Sequence, residues 1–189
     1  MRLLLASKSP RRRQLLGELG LPVEFISLDV DEHVPSSTPA ANTAELLARR
    51  KAEACPKEMI DDDTILVAAD TVVVLGEKVL GKPANRNEAF AMLRALSGNR
   101  HQVYTGVCLR SASRTISFTE KTDVFFRTLT DKEIEYYIDN YKPYDKAGAY
   151  GIQEWIGMVG ISRIDGCYYN VMGLPVARVY EEIANCCQA

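Results

Sequence analysis

The chain alternates short apolar runs with amphipathic stretches, and turn residues interrupt each pattern before it grows long. Arg2–Ala6 (RLLLA) reads as a short buried strand. Ser9-Pro10 then opens a helix. Serine suits the N-cap and proline the first helical position, Leu15, Leu16 and Leu19 share one face, and Gly20 stops it. Val23–Leu28 reads as a strand. Asn42, with Glu45 three residues on, has capping-box spacing and starts a helix running to about Cys55. Thr64–Leu75 is strand-like although Asp70-Thr71 interrupts it, and Gly76-Glu77 turns it into Lys78–Leu80 as a hairpin.

Asn85 caps a further helix that ends near Gly98. Arg100–Arg110 and Thr115–Thr128 read as two long strands joined by Ser111–Arg114. Thr130 and Glu133 form a capping box for a helix to about Asn140. Tyr141–Gln153 is loop-like, Met158–Ile164 and Cys167–Val171 read as strands, and a last helix spans about Pro175 to Asn185. Strands and helices mix without strict alternation, which predicts an α/β fold with a mixed twisted sheet and flanking helices. No repeat, low-complexity tract or linker breaks the 189 residues, so 1–189 is expected to be one domain, whole or split into two lobes.

Composition narrows the class. An apolar content of 47% and a charged content of 25% suit a soluble globular protein. The longest apolar runs, such as Ile65–Ala69, are far short of the roughly 18–20 residues that cross a bilayer. The apolar stretch of MRLLLASKSPRRR is too short for a signal peptide, so a cytoplasmic protein without membrane partners is expected. Five cysteines form an odd set with no CxxC, which fits reduced thiols. Two histidines and no HExxH exclude a histidine-rich zinc site. Any metal should therefore be a hard ion on carboxylates, magnesium or manganese. A net charge of −2 argues against an extended nucleic-acid surface and leaves room for a local basic pocket.

Several positions carry candidate chemistry. Arg11, Arg12 and Arg13 occupy the first turn of a helix, where the partial positive charge favours acidic residues. A bound anion would reverse that preference, because backbone N–H groups and guanidinium forks would converge on it; a solvated basic turn is the other reading. Gly76–Pro83 approaches G-x-x-x-x-G-K, but proline replaces the Ser/Thr and no helix is expected to start there, so a P-loop is rejected. Lys82 remains a candidate point charge for phosphate. Asp70 between two apolar β-rich halves must be paired, metal-bound or at a cleft if buried, or else is a turn aspartate. Asp29, Asp31 and Glu32 form an acidic cluster or simply a polar loop. In YDKAGAYGIQ the small residues permit close backbone approach and Gln153 offers donor and acceptor to a base edge; small residues in a loop are more often plain turn chemistry, and Asp145–Lys146 can be a surface pair. Trp155 and Met158 read as packing residues. No serine or cysteine sits in a recognisable motif with histidine, so no covalent intermediate is expected.

The stretches LASKSPRRRQLL, VDE at 30–32, ARRKA at 48–52, AADTVV, GKP, TGV, YDKAGAYGIQ and YYNVMGLPV together resemble the Maf family of nucleotide pyrophosphatases, in order and over nearly the whole chain. That family is also called septum formation inhibitor. The resemblance implies an elongated two-lobed α/β protein with a nucleotide cleft, forming a homodimer. It implies a metal-dependent enzyme that cuts nucleoside triphosphates between the α and β phosphates. By the family pattern Asp70 is the proton acceptor, and Ser7, Arg12, Lys51 and Lys82 bind the triphosphate. Glu32 joins Asp70 near the metal. Arg11, Thr71 and Gln153 mark the uracil/thymine branch, so dTTP and UTP are the expected substrates over the 7-methylguanosine triphosphate of a sister branch. Two alternatives stand beside this. One is a nucleotide- or nucleic-acid-binding regulator of cell division without essential catalysis. The other is a kinase or nucleotidyltransferase, for whose second substrate the sequence has no signal.

Overall fold

Leu3, Leu4 and Leu5 are all buried, so both faces of the first strand are covered and its sequence shows no alternation. The structure, a computed structural model, describes residues 1–35 and 38–187. Seven strands form one mixed sheet: β1 (Arg2–Ala6), β2 (Val23–Ile26), β3 (Thr64–Leu75), β4 (Lys78–Leu80), β5 (Arg100–Arg110), β6 (Thr115–Phe126) and β7 (Ile161–Asp165). Their order is β2-β1-β3-β5-β6-β7, with β4 paired to β3. The α-helices are α1 (Pro10–Gly17), α2 (Ala40–Glu53), α3 (Arg86–Leu96), α4 (Asp131–Tyr141), α5 (Trp155–Gly160), α6 (Tyr168–Met172) and α7 (Val176–Cys187). The predicted α/β fold with a mixed sheet is what the chain adopts: β1 runs parallel to β2 and β3, while β3–β4 and β6–β7 are antiparallel.

The chain divides into two compact units. The first comprises Met1–Thr71, Thr105–Glu120 and the chain from Gly173 on; the second comprises Val72–Tyr104 and Lys121–Met172. In the first unit Leu4, Ala6, Leu66, Ala68 and Cys108 on the sheet pack against Ala48, Ala52 and Cys55. The alanines let α2 lie close to the strands. Gly106 on β5 lies close under this helix, since a Cβ there would fall 2.2 Å from Glu45 N and 2.3 Å from the Ala44 carbonyl carbon. In the second unit Asn85 caps α3 by accepting from Glu88 N–H, and Thr130 with Glu133 makes the full capping box on α4, both as predicted.

Several expectations need correction. The predicted cap Asn42 lies inside α2, which starts at Ala40 after Pro39. Glu45 instead accepts from Ser117 Oγ at 2.7 Å and Thr119 Oγ1 at 3.0 Å on β6. The predicted strand at 158–164 is α5 followed by β7, and 167–171 is helical as α6. Short apolar runs do not distinguish the two periods, and tertiary contacts decide. A Cβ at Gly157 would lie 1.8 Å from Ile152 O, so only glycine lets α5 fold back there. Asn170 Nδ2 donates to Val103 O and Thr122 Oγ1, bonds that fix α6 from outside it. As expected, no helix begins at Lys82; α3 starts at Arg86. Among the described residues no helix is long and apolar enough to cross a membrane. Cys55, Cys108 and Cys167 are free thiols, and the Cys187 side chain lies outside the described residues. Burial pushes the Cys55 thiol up and the Cys108 thiol up to about 11, so both stay protonated.

Candidate active site

Residues 66, 68 and 70 of β3 share one face of the sheet, because side chains alternate along a strand. Leu66 and Ala68 face α2, and so does Asp70. On α2 Lys51 follows the stripe of Ala44, Ala48 and Ala52 that packs on this face. Lys51 Nζ lies 2.5 Å from Asp70 Oδ1 and 2.9 Å from Glu32 Oε1. The Lys51 and Asp70 side chains are 17% and 15% exposed, against 59% for Glu32. The pairing explains how a carboxylate stands inside an apolar strand.

The pairing of β1 with β3 ends at Ala6 and Ala68. Asp70 and Thr71 therefore lie past the carboxyl end of β1, where open α/β sheets bind ligands. Thr71 faces the opposite way from Asp70. Its Oγ1 accepts from Arg12 on α1 at 2.8 Å and lies 2.9 Å from Thr105 Oγ1. Arg12 Nε also donates to Gly173 O at 2.8 Å. Gly173 has φ 123, a conformation that favours glycine. Burial pulls the Arg12 guanidinium below its ordinary value; Asp70 opposes this, Arg11 adds to it and Glu32 opposes it. Those same interactions place Arg11, Arg12, Asp70 and Glu32 in one electrostatic neighbourhood.

Other members of the arginine run and its flank separate by role. Arg13 Nε donates to Ser7 O at 3.1 Å, and its guanidinium lies 5.3 Å over the Phe25 ring. Ser7 is buried, and its Oγ accepts from Ser9 N–H at 3.1 Å, closing the turn into α1. Lys8 pairs with exposed Asp29 at 2.5 Å. Lys82 and Gln153 are exposed residues of the second unit.

Among the described residues no three His, Cys, Asp or Glu side chains gather into a metal cage. The donor set is instead two carboxylates, Asp70 and Glu32, meeting on one cation. Such a pair has the oxygen donors that would suit a hard divalent ion.

A family model for Maf-like proteins matches residues 2–186. The chain belongs to the Maf family. This Maf-like chain is 50% identical over 183 residues to a protein of Parabacteroides distasonis named dTTP/UTP pyrophosphatase, covering 96% of this chain and 94% of that one. Proteins with the same name from Bacteroides thetaiotaomicron and Flavobacterium johnsoniae are 48% and 45% identical, with 96% and 95% of this chain and 94% and 92% of theirs covered. Among solved structures, the Staphylococcus aureus Ham1 protein matches with a TM-score of 0.45 and 16% identity, over 67% of this chain and 72% of that one.

Two residues at the candidate site carry no signal of their own in the sequence. Thr105 was visible only as part of TGV, and Gly173 only as part of YYNVMGLPV. Both stretches carried the family resemblance, and both supply an oxygen beside Arg12 or Thr71.

Proposed function

We propose that this chain hydrolyses dTTP and UTP to the monophosphate and pyrophosphate in the cytoplasm. The supporting observation is that Asp70, Lys51 and Glu32 meet within 3 Å contacts while Arg12 stands in the same electrostatic neighbourhood. That arrangement belongs to a chain whose close relatives are named for this activity. The same names leave the non-catalytic regulator without favour.

A triphosphate carries about four negative charges, so its hydrolysis needs fixed cations and an oriented water. Arg12 is held by two bonds, to Gly173 O and Thr71 Oγ1, before any substrate arrives. Its guanidinium and the Lys51 ammonium neutralise phosphate oxygens, with Lys82 and Ser7 assigned to the same task by resemblance. Lys51 occupies Asp70 Oδ1, which leaves Oδ2 to take the proton of the water attacking the α phosphorus. A magnesium or manganese ion on Asp70 and Glu32 would offset charge on the phosphates and the leaving pyrophosphate. Arg11, Thr71 and Gln153 are the residues we assign to the choice of a uracil or thymine base, and we expect the protein to act as a homodimer.

The test is product analysis by phosphorus NMR with UTP, dTTP, CTP and GTP, with and without magnesium. Monophosphate and pyrophosphate, formed fastest from UTP or dTTP and only with metal, are expected. Release of orthophosphate and a diphosphate would overturn the bond assignment, and no turnover of any nucleotide would revive the binding-protein reading.

A further inference from the structure

Gln153 stands on a turn that side chains of the second unit hold at both ends. The turn runs from Gly151 to Glu154 and is closed by Glu154 N–H donating to Gly151 O at 3.1 Å. Gly151 N–H donates to the phenol oxygen of Tyr137 on α4 at 3.0 Å. The Tyr137 hydroxyl in turn donates to Glu154 Oε2. The other carboxylate oxygen, Oε1, lies 3.1 Å from Lys146 Nζ, which also reaches Asp145 at 2.7 Å. Both ends of the turn are thus tied to one network, and Gln153 between them is exposed.

Most of the network lies inside the protein, with Asp145 at its exposed edge. Tyr137 is fully buried, and the side chains of Lys146 and Glu154 are 9% and 19% exposed. Gly151 is packed so closely that a Cβ would lie 2.9 Å from Glu154 Cδ and 3.1 Å from Lys146 Cε. Burial and Glu154 push the Tyr137 phenol up, so it remains a hydrogen-bond donor at any working pH. Ionised groups taken out of water add little net stability compared with apolar residues of the same volume. What a fully satisfied network does supply is one fixed arrangement of the backbone it holds. A turn that only joined α4 to α5 would not need it; an amide that must read donors and acceptors on a base edge would.

We propose that Tyr137, Glu154 and Lys146 are positioning residues that fix Gln153 and thereby set the preference for a pyrimidine base. The inference rests on the function proposed above. None of the three touches substrate in this scheme; they act through the turn.

The test compares kcat/KM for UTP and GTP, together with Tm, in the wild-type protein and in Gln153→Ala, Tyr137→Phe, Glu154→Ala and Glu154→Gln. Tyr137→Phe keeps the ring and removes only the hydroxyl shared by Gly151 and Glu154. It should lower the UTP/GTP ratio about tenfold, through a higher KM for UTP with kcat nearly unchanged. Glu154→Ala should do the same, and it decides the matter if Tyr137→Phe does not fold. Glu154→Gln, which keeps an acceptor for Tyr137, should restore most of the ratio. A purely structural role would lower Tm and slow both nucleotides equally, and that outcome overturns the proposal. If Gln153→Ala loses discrimination while Tyr137→Phe and Glu154→Ala keep it, the positioning role is wrong and the assignment of Gln153 stands. If Gln153→Ala keeps full discrimination, the assignment of Gln153 fails, and the positioning role fails with it.

Discussion

Lys51 Nζ reaches Asp70 Oδ1 at 2.5 Å, joining the last turn of a helix to the middle of a largely apolar strand. Asp70→Asn keeps the size of the side chain and a carbonyl oxygen for Lys51, and Glu32 stays 2.9 Å away as its ionic partner. The fold should therefore survive while the base is lost. Turnover of UTP is expected to fall about 10²–10⁴-fold with Tm nearly unchanged. Activity near wild type in the folded variant would remove Asp70 from the proton-acceptor role.

Arg12 and Arg13 are neighbours with different occupations. Arg13→Ala gives up a bond to Ser7 O and the cover over Phe25, which should cost about 1 kcal/mol of stability and little activity. Arg12→Ala removes a guanidinium already aligned by Gly173 and Thr71, and should lose about 1.5–3 kcal/mol of transition-state binding, roughly 10–150-fold in kcat/KM. Urea denaturation and steady-state kinetics on both variants separate the two effects, and equal small losses would return the whole run to a solvated basic turn.

Gly106→Ala probes the seat of α2. The added methyl would stand 2.2 Å from Glu45 N and 2.4 Å from Ala44 O, both backbone atoms that can yield only if the helix moves. Overpacking of this kind costs about 1–3 kcal/mol, which for a chain of this size lowers Tm by roughly 2–12 °C. Because Lys51 rides on the same helix, activity should fall beyond what the stability loss explains. A variant with unchanged Tm would show that the helix is not held at this point.

His101 gives the protein a dependence on acid. It is buried against Tyr150, whose hydroxyl is 2.7 Å from Nε2, and against Phe126, while Nδ1 has no hydrogen-bond partner. Burial lowers its pKa to about 4, with nearby Asp123 opposing the shift. The unfolded chain, with an ordinary value near 6.5, therefore binds the proton first as pH falls. Stability from this group is whole above about pH 6.5 and is lost progressively down to about pH 4, a total of roughly 3 kcal/mol. Thermal melts between pH 4 and 7 should show that slope, and His101→Gln should flatten it. An equally steep slope in the variant would assign the dependence to other groups.

Much of this was legible before the structure. The twelve-residue strand around Asp70, its hairpin and both capping sites at Asn85 and Thr130 follow from local chemistry, which short-range patterns record well. The helix at 168–172 was not legible because what decides it is remote in sequence, Val103 and Thr122 holding Asn170, and the helix at 155–160 was not because a short apolar run does not announce the close packing of Gly157 on Ile152. The site divides in the same way. A lone aspartate among apolar residues announces that it needs a partner, but nothing in the sequence says that Lys51 is that partner. Thr105 and Gly173 contribute one hydroxyl and one carbonyl, groups too common to stand out until Arg12 and Thr71 are seen beside them.

Asp70 and Thr71 are consecutive, yet one is turned to Lys51 and the other to Arg12. Their division of labour is therefore written into the pairing of β3 with β1, where Leu66 stands beside Leu4 and Ala68 beside Ala6. A slip of one residue would leave the sheet equally bonded, but in one direction it would bring the Thr71 hydroxyl to the ammonium, and in the other the Asp70 carboxylate to the guanidinium with Ala69 facing Lys51. An insertion or deletion in the Asp61–Asp63 turn would thus alter the candidate site even though it touches none of its residues. In this protein the phase of a strand is a chemical parameter, as consequential as the identity of any side chain the strand carries.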